Sequence, residues 1–474
     1  MSERIVVPGL SETEQDTLDG LVKHLDGKAE RNLLRASYYD GKRAIRQVGS
    51  VIPPQYYRLG LVLGWSAKAV DMLARRCNLD GFVWDAGSLG DIGFKELWDS
   101  NQLDSEFNQA ETSGLIHAVS FLVTTKGGKG EPKALIHAKD ALSAAGHWNT
   151  RQKRLDSLLS INQRDAEGKP SALTLYLSDL TIICAKEQGV WKVEDRQAHP
   201  WGVPADPLVY RPRTGRPLGS SRISRTVMSL HDQALRTIIR MEGHADVYSF
   251  PEMWMLGADQ SIFTNADGTQ LASWQIMLGR IKAIPDDDEA DNPRVDVKQF
   301  AASDPSPHLA LLKQQAQFFS GETSIPLTSL GVSDQSNPTS AESYIASRED
   351  LIAEAEGCTD DWSPSMRRTV TRALAIQNGL SEIPPEWATI APKWRNPVYV
   401  SRAAAADAGA KQIGAIPWLA ETEVGLELLG LDPQQVTRAL ADRRRLDGSA
   451  ALRAIQTAAD QNRPVVTDVD PVAG

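Results

Sequence analysis

The chain has 474 residues, 41% of them hydrophobic and 24% charged, with a net charge of −10. At roughly 150 residues per domain this length predicts two to four units, and the composition excludes wholesale disorder. The acidic balance excludes a surface that grips nucleic-acid phosphates everywhere, so any contact with DNA or RNA has to be local.

The stretch to about Gly27 reads as a polar arm. Its first ten residues lack the apolar segment of a signal peptide. Lys28 to Asp40 reads as a helix, and Leu61 to Cys77 as another, with Leu61, Trp65, Ala69 and Met72 on one face. Asp91 to Glu111 predicts one or two short helices. From Leu115 to Arg196 the period changes to two. Strands are expected over Leu115–Thr125, Lys133–Ala138, Arg154–Asn162, Leu173–Leu177, Thr181–Ala185 and Val190–Val193. Gly-rich turns at Lys126–Gly130 and Asp165–Gly168 separate them. That pattern predicts an antiparallel meander with helices on one side, an α+β fold.

A Pro/Arg/Gly linker, Tyr210–Pro217, leads into a helix over Arg222–Glu242. Ile223, Val227, Leu230, Ala234 and Ile238 form its apolar stripe, and Arg222, Arg225, Arg236 and Arg240 lie on a second stripe. Residues 250–300 read as irregular and strand-like, with Trp254 and the acidic run Asp286, Asp287, Asp288, Glu289. Leu309–Phe319 is helical and Gly321–Ser336 a polar loop. Asn337 and Pro338 open a long helix to about Gln377, with Gly357 and Pro364 expected to kink or interrupt it. The tail beyond Val400 is Ala-rich and helical.

The chemistry sought along the chain is mostly missing. Gly127-Gly128-Lys129-Gly130 fails the spacing of a phosphate-cradling loop and reads as a hairpin tip. His117 and His137 could face each other on neighbouring strands, or be two ordinary strand histidines; no HExxH is present. The acidic run at Asp286 lacks the alternation of a calcium loop and reads as a solvated loop. Cys77, Cys184 and Cys358 form no CxxC pair, which fits a reducing, intracellular origin. No catalytic constellation, metal site or cofactor site is expected, and no apolar run reaches the roughly 20 residues of a membrane span. The arginine stripe has two readings: a face that is solvated or paired with a neighbouring chain, or a basic strip along a path for DNA.

Several strings, in this order and spacing, carry a resemblance. They are Tyr210–Gly219 running into Ser221–Ser224, Phe250–Gly257, Gly279–Ile281, Val297–Phe300, Ile325–Gly331 and Asn337–Ser343. Together with the meander they make residues 30 to 445 similar to tailed-phage portal proteins, particularly those of actinobacteriophages and the SPP1/HK97-type fold. The resemblance implies a non-enzymatic ring of twelve copies at one capsid vertex of the virion, assembled in the host cytoplasm. Double-stranded DNA passes through its channel, and its partners are the terminase large subunit, a head-tail adaptor, and the major capsid protein with its scaffold. Carried onto this chain, it implies an arm (1–27), a wing (28–221), a stem helix (222–245), a clip (246–303) and a second stem helix (304–320). A tunnel loop with a long kinked helix (321–400) and a C-terminal crown (401–474) complete it. Ser333, Asp334, Gln335, Ser336 and Asn337 would lie at the tunnel loop. Trp254, Asp286, Asp287 and Asp288 would serve docking at the clip. The alternative is a metal-dependent nucleic-acid-processing enzyme built around the Asp286 run and Asp296.

Overall fold

The computed structural model describes residues 4–42, 60–248, 253–256, 281–284, 296–299, 304–332, 348–398 and 401–461. The chain divides into a unit spanning residues 1–397 and a C-terminal unit from Val398.

The first helix, α1 (Glu12–Tyr39), starts well inside the expected arm. Ser11 and Glu14 form a capping box: the Ser11 hydroxyl accepts from the Glu14 amide, and the Glu14 carboxylate accepts from the Ser11 amide at 2.7 Å. Leu18, Leu21 and Leu25 follow at helical spacing and are buried with Ile5 and Val7. Five residues of the stretch 5–27 therefore belong to the core, contrary to the reading as a polar arm. Apolar residues diluted by Asp, Glu and Lys hid a narrow stripe.

Next come α2 (Trp65–Ala74), β1 (Leu79–Val83), α3 (Phe94–Asn101) and α4 (Leu103–His117). The strands β2 (Val119–Lys126), β3 (Ala134–Asp140), β4 (Ala144–Asn149), β5 (Arg154–Arg164), β6 (Pro170–Tyr176), β7 (Leu180–Glu187), β8 (Val190–Ala198) and β9 (Ala205–Val209) follow. Strands β4 to β8 form a five-stranded antiparallel meander in sequence order, and β3-β2-β9 form a second antiparallel sheet. The turn at Asp165 is held by its carboxylate, which accepts from the amides of Glu167 and Lys169 at 3.1 and 2.8 Å.

The meander is present as expected, but helices do not simply cover one side of it. Leu159, Ile161, Leu173, Leu175 and Ile182 pack on α1. Alternate positions Leu155, Leu158 and Tyr176 face the other way, onto Val119, Phe121 and Val123 of β2. Leu122, between them, joins the largest core with α2 and α4. The order of layers is thus α1, five-stranded sheet, three-stranded sheet, helices. Each strand's two-residue alternation divides its side chains between two cores. Thr174 and Tyr176, which alternate with the leucines of β6, are buried for this reason.

His117 ends α4 and is buried, whereas His137 is exposed on β3 opposite Val123, so they are not a cross-strand pair.

The chain then runs through α5 (Arg225–Tyr248), the short strands β10 (Met253–Leu256), β11 (Ile281–Ile284) and β12 (Asp296–Gln299), and α6 (Ser306–Thr323). The helix α7 (Glu349–Gln377) is one element through Gly357, with Pro364 inside it; the expected start at Asn337 and Pro338 lies outside the described residues. Its buried face, including Leu351, Ala355, Trp362, Met366 and Val370, crosses the three-stranded sheet. The Trp362 indole donates to the Val209 carbonyl at 2.9 Å. β13 (Ala391–Trp394) pairs with β1, closing a loop of over 300 residues.

The C-terminal unit contains α8 (Arg402–Ala415), α9 (Glu423–Leu428) and α10 (Pro433–Gln461). Gly409 of α8 lies so close to the Leu428 carbonyl that a Cβ would collide with it. Leu446, Leu452 and Ile455 of α10 are exposed.

Candidate functional site

The two helices flanking the short strands form an antiparallel pair. At one end the Ser224 hydroxyl donates to Glu322 at 3.1 Å. At the other end the rings of His244 and His308 meet edge to face, 5.4 Å apart. The 24 residues of α5 and the 18 of α6 make rods of roughly 36 and 27 Å. Val227, Leu230 and Ala234 pack in one core with Ala316 and Phe319. Phe319 also meets Trp65 of α2, ring centroids 5.2 Å apart. His231 is buried under Tyr38 and shares a 2.9 Å hydrogen bond with the Ser66 hydroxyl. Burial lowers its pKa, favouring the neutral ring.

Between the helices, β10 is the central strand of a three-stranded sheet, parallel to β11 and antiparallel to β12. Trp254 sits on this central strand, opposite Lys282 and Lys298. Asp286, Asp287 and Asp288 lie outside the described residues, as do Ser333, Asp334, Gln335, Ser336 and Asn337.

The arginine stripe does not act as one unit. Arg225 and Arg240 are exposed and Arg236 half-buried. Ile239 rather than Ile238 is buried beyond Ala234. Arg222 lies before α5 and is 5% exposed. This corrects the expectation that Arg222 belongs to an accessible strip. Its chain turns inward because Ser221 binds the end of α4, donating to the Ile116 carbonyl at 2.5 Å.

Arg222 is the centre of a buried network. Its Nη1 lies 2.6 Å from Glu354 of α7 and donates to the Tyr210 hydroxyl at 3.0 Å. Nη2 donates to the Thr323 carbonyl at the end of α6 at 2.7 Å, and Nε donates to the Ala69 carbonyl of α2. Tyr210 donates to Glu354, which also accepts from Arg211 at 2.6 Å. Burial opposes the guanidinium charge, but Tyr210 and Glu354 outweigh it, so its pKa is raised. The positive group also meets the negative end of α6. One side chain therefore fastens α2, the root of α5, the end of α6 and α7 together. A lysine would lack the planar fork needed for these partners.

A second junction lies along α7. Asp206, buried on β9, is 2.6 Å from Arg368 and 2.9 Å from Arg372 and accepts from the Thr369 hydroxyl at 3.2 Å. Neither junction was recognised in the sequence. Glu354, Arg368 and Arg372 look like ordinary solvated residues of a long helix, and Asp206 precedes a proline that argues against a strand. Pro207 is tolerated because β9 is an edge strand, paired among the described residues only with β2.

The sequence matches the family model for phage portal proteins of the SPP1 Gp6-like type over residues 19–420. The chain belongs to this portal family. Among curated relatives are the portal proteins of Mycobacterium phages L5 and D29. Each is 24% identical, over 417 and 418 residues respectively, covering 86% of this chain and 84% of the relative. Solved structures that resemble the portal chain include the neck of an empty gene transfer agent particle computed with C6 symmetry (TM-score 0.42) and the neck of the native particle computed with C12 symmetry (TM-score 0.39). Both are 16% identical and cover 78% of this chain and 90% of the other. Family membership assigns a phage portal role, and the portal family is a structural one. It does not support the metal-dependent enzyme alternative.

Proposed function

We propose that copies of this chain assemble into a closed ring, of twelve subunits, whose channel passes double-stranded DNA during packaging and ejection. The paired helices α5 and α6 are the stem, and the sheet of β10, β11 and β12 belongs to the clip. There the terminase large subunit docks first and a head-tail adaptor later. The layered unit around the meander is the wing, facing capsid protein and scaffold, and α8 to α10 belong to the crown.

The carrying observation is the exposed outer surface of the stem pair. Leu311 and Phe318, seven residues apart on α6, are 42% and 57% exposed, while Arg225 and Arg240 stand exposed on α5. Apolar side chains on one rod and cations on the other suit a heterologous interface, in which one face of each subunit meets a different face of the next. The net charge of −10 supports a conduit that lets DNA slide, since it limits phosphate contact to weak, salt-sensitive points.

Electron microscopy of the purified full chain tests this. Rings with a central hole are expected, and Leu311→Asp with Phe318→Asp should give folded monomers. A wild-type chain that stays monomeric at high concentration under every salt condition overturns the reading.

A further inference from the structure

A cationic cavity of about 370 Å³ lies between α1 and the turn that follows Tyr210. Lys28, Arg31 and Arg35, at steps of three and four, line it from one face of α1, and Arg216 lines it from the turn. His117 and Trp148 belong to its wall, and no aspartate or glutamate is among the lining residues. Two nearby acids are already engaged. Asp156 pairs with His147 at 2.9 Å, and Asp140 accepts from the Leu142 and Ser143 amides at 3.2 and 2.9 Å.

The inner end of the cavity is unsatisfied. Arg35 Nη1 donates to the His117 carbonyl at 3.0 Å, but its buried Nε has no hydrogen-bond partner among the described residues, nor has the buried Nδ1 of His117. Burial first, then Arg31 and Arg216, push the Arg35 pKa down to about 10. Lys28 and Arg31 make no ion pair among the described residues. Holding like charges together around the buried, unpaired Arg35 Nε–H is costly unless an anion joins them.

We infer that this cavity is a binding site for a phosphate-class oxyanion. Guanidinium forks match phosphate oxygens in pairs, and a doubly charged group answers several cations better than a carboxylate does. The phosphate could be free or belong to a nucleic-acid backbone. Arg35 and the His117 ring form the floor, while Lys28, Arg31 and Arg216 close over the mouth. The inference is independent of the stem and of the ring.

Titration calorimetry of the full chain with inorganic phosphate, pyrophosphate and a short single-stranded oligonucleotide tests it, with acetate as the singly charged control. Saturable binding of at least one phosphate ligand at one site per chain is expected, with acetate at least tenfold weaker. Arg31→Gln with Arg216→Gln, both at exposed positions, should weaken binding at least tenfold while leaving the circular dichroism spectrum unchanged. Saturation by phosphate or pyrophosphate alone supports a free anion. Saturation by the oligonucleotide, competed by pyrophosphate, supports a backbone phosphate. No saturation with any of the three, or equal affinity in the double variant, overturns the site.

Discussion

Glu354 on α7 receives the Arg222 guanidinium at 2.6 Å, with side-chain exposures of 11% and 3%. The pair joins the root of α5 to the long helix that crosses the sheet of β2, β3 and β9. Removing either partner leaves the other charge buried. Arg222→Met and Glu354→Gln should each cost about 3–5 kcal/mol. Urea denaturation of both single variants and the double variant checks this. The double variant should lose clearly less than the sum of the singles, whereas simple additivity would mean the two groups do not interact.

The arginines of α5 itself should behave differently. Charge reversal of Arg225, Arg236 and Arg240 together should shift unfolding by no more than about 1–2 kcal/mol, since substitutions outside the core are mild. Ring formation or DNA packaging should nonetheless fail. Thermal melts beside negative-stain images and a packaging assay would measure both, and normal rings with normal packaging would retire the stripe as a functional feature.

Glu111 is buried in α4, and neither carboxylate oxygen has a hydrogen-bond partner among the described residues. Burial, then the nearby Cys358, raises its pKa well above 4.5. A carboxyl raised in the fold keeps its proton there, while the unfolded chain releases it above about 4.3. Its contribution is therefore fully present below the unfolded value and declines as pH rises from there. Glu111→Gln should raise the melting temperature at pH 8 more than at pH 5. An equal change at both pH values would show that the carboxyl does not titrate on unfolding.

At the other end of the unit, Glu14 caps α1 and binds Arg196 of β8 at 2.8 Å. The Arg196 hydrogen bond is the main cause holding its pKa down at about 2. A depressed carboxylate stabilises above its unfolded value and loses that effect as pH falls through its folded value, here from 4.5 to about 2. Ser11→Ala should cost roughly 1 kcal/mol at neutral pH. Glu14→Gln should also destabilise at neutral pH, by an amount that fades below pH 3. Melts from pH 2 to 7 would check the slope, and a constant deficit would point to lost packing instead.

Much of the local structure was legible in the sequence. Two-residue alternation and Gly-rich turns marked the meander, because a strand facing a core must place apolar side chains on alternate positions. The 3.6-residue period and the Pro/Arg/Gly linker marked α5, α6 and the strand-rich insertion between them. The ordered strings from Tyr210 to Ser343 indicated the portal family. Local signals failed where partners are remote. Leu79–Val83 is a strand only because Ala391–Trp394 arrives beside it, and β9 tolerates Pro207 only as an edge. A period of two states that both faces exist but not what covers them, so burial of Thr174 and Tyr176 came from the packing of one sheet on the other. The arginines show the same division most sharply. Sequence placed Arg222, Arg225, Arg236 and Arg240 on one helical stripe, whereas tertiary structure buried Arg222 against Glu354 and left Arg225 and Arg240 outside. Charge and periodicity are properties of neighbours along the chain; desolvation and pairing depend on groups more than a hundred residues away.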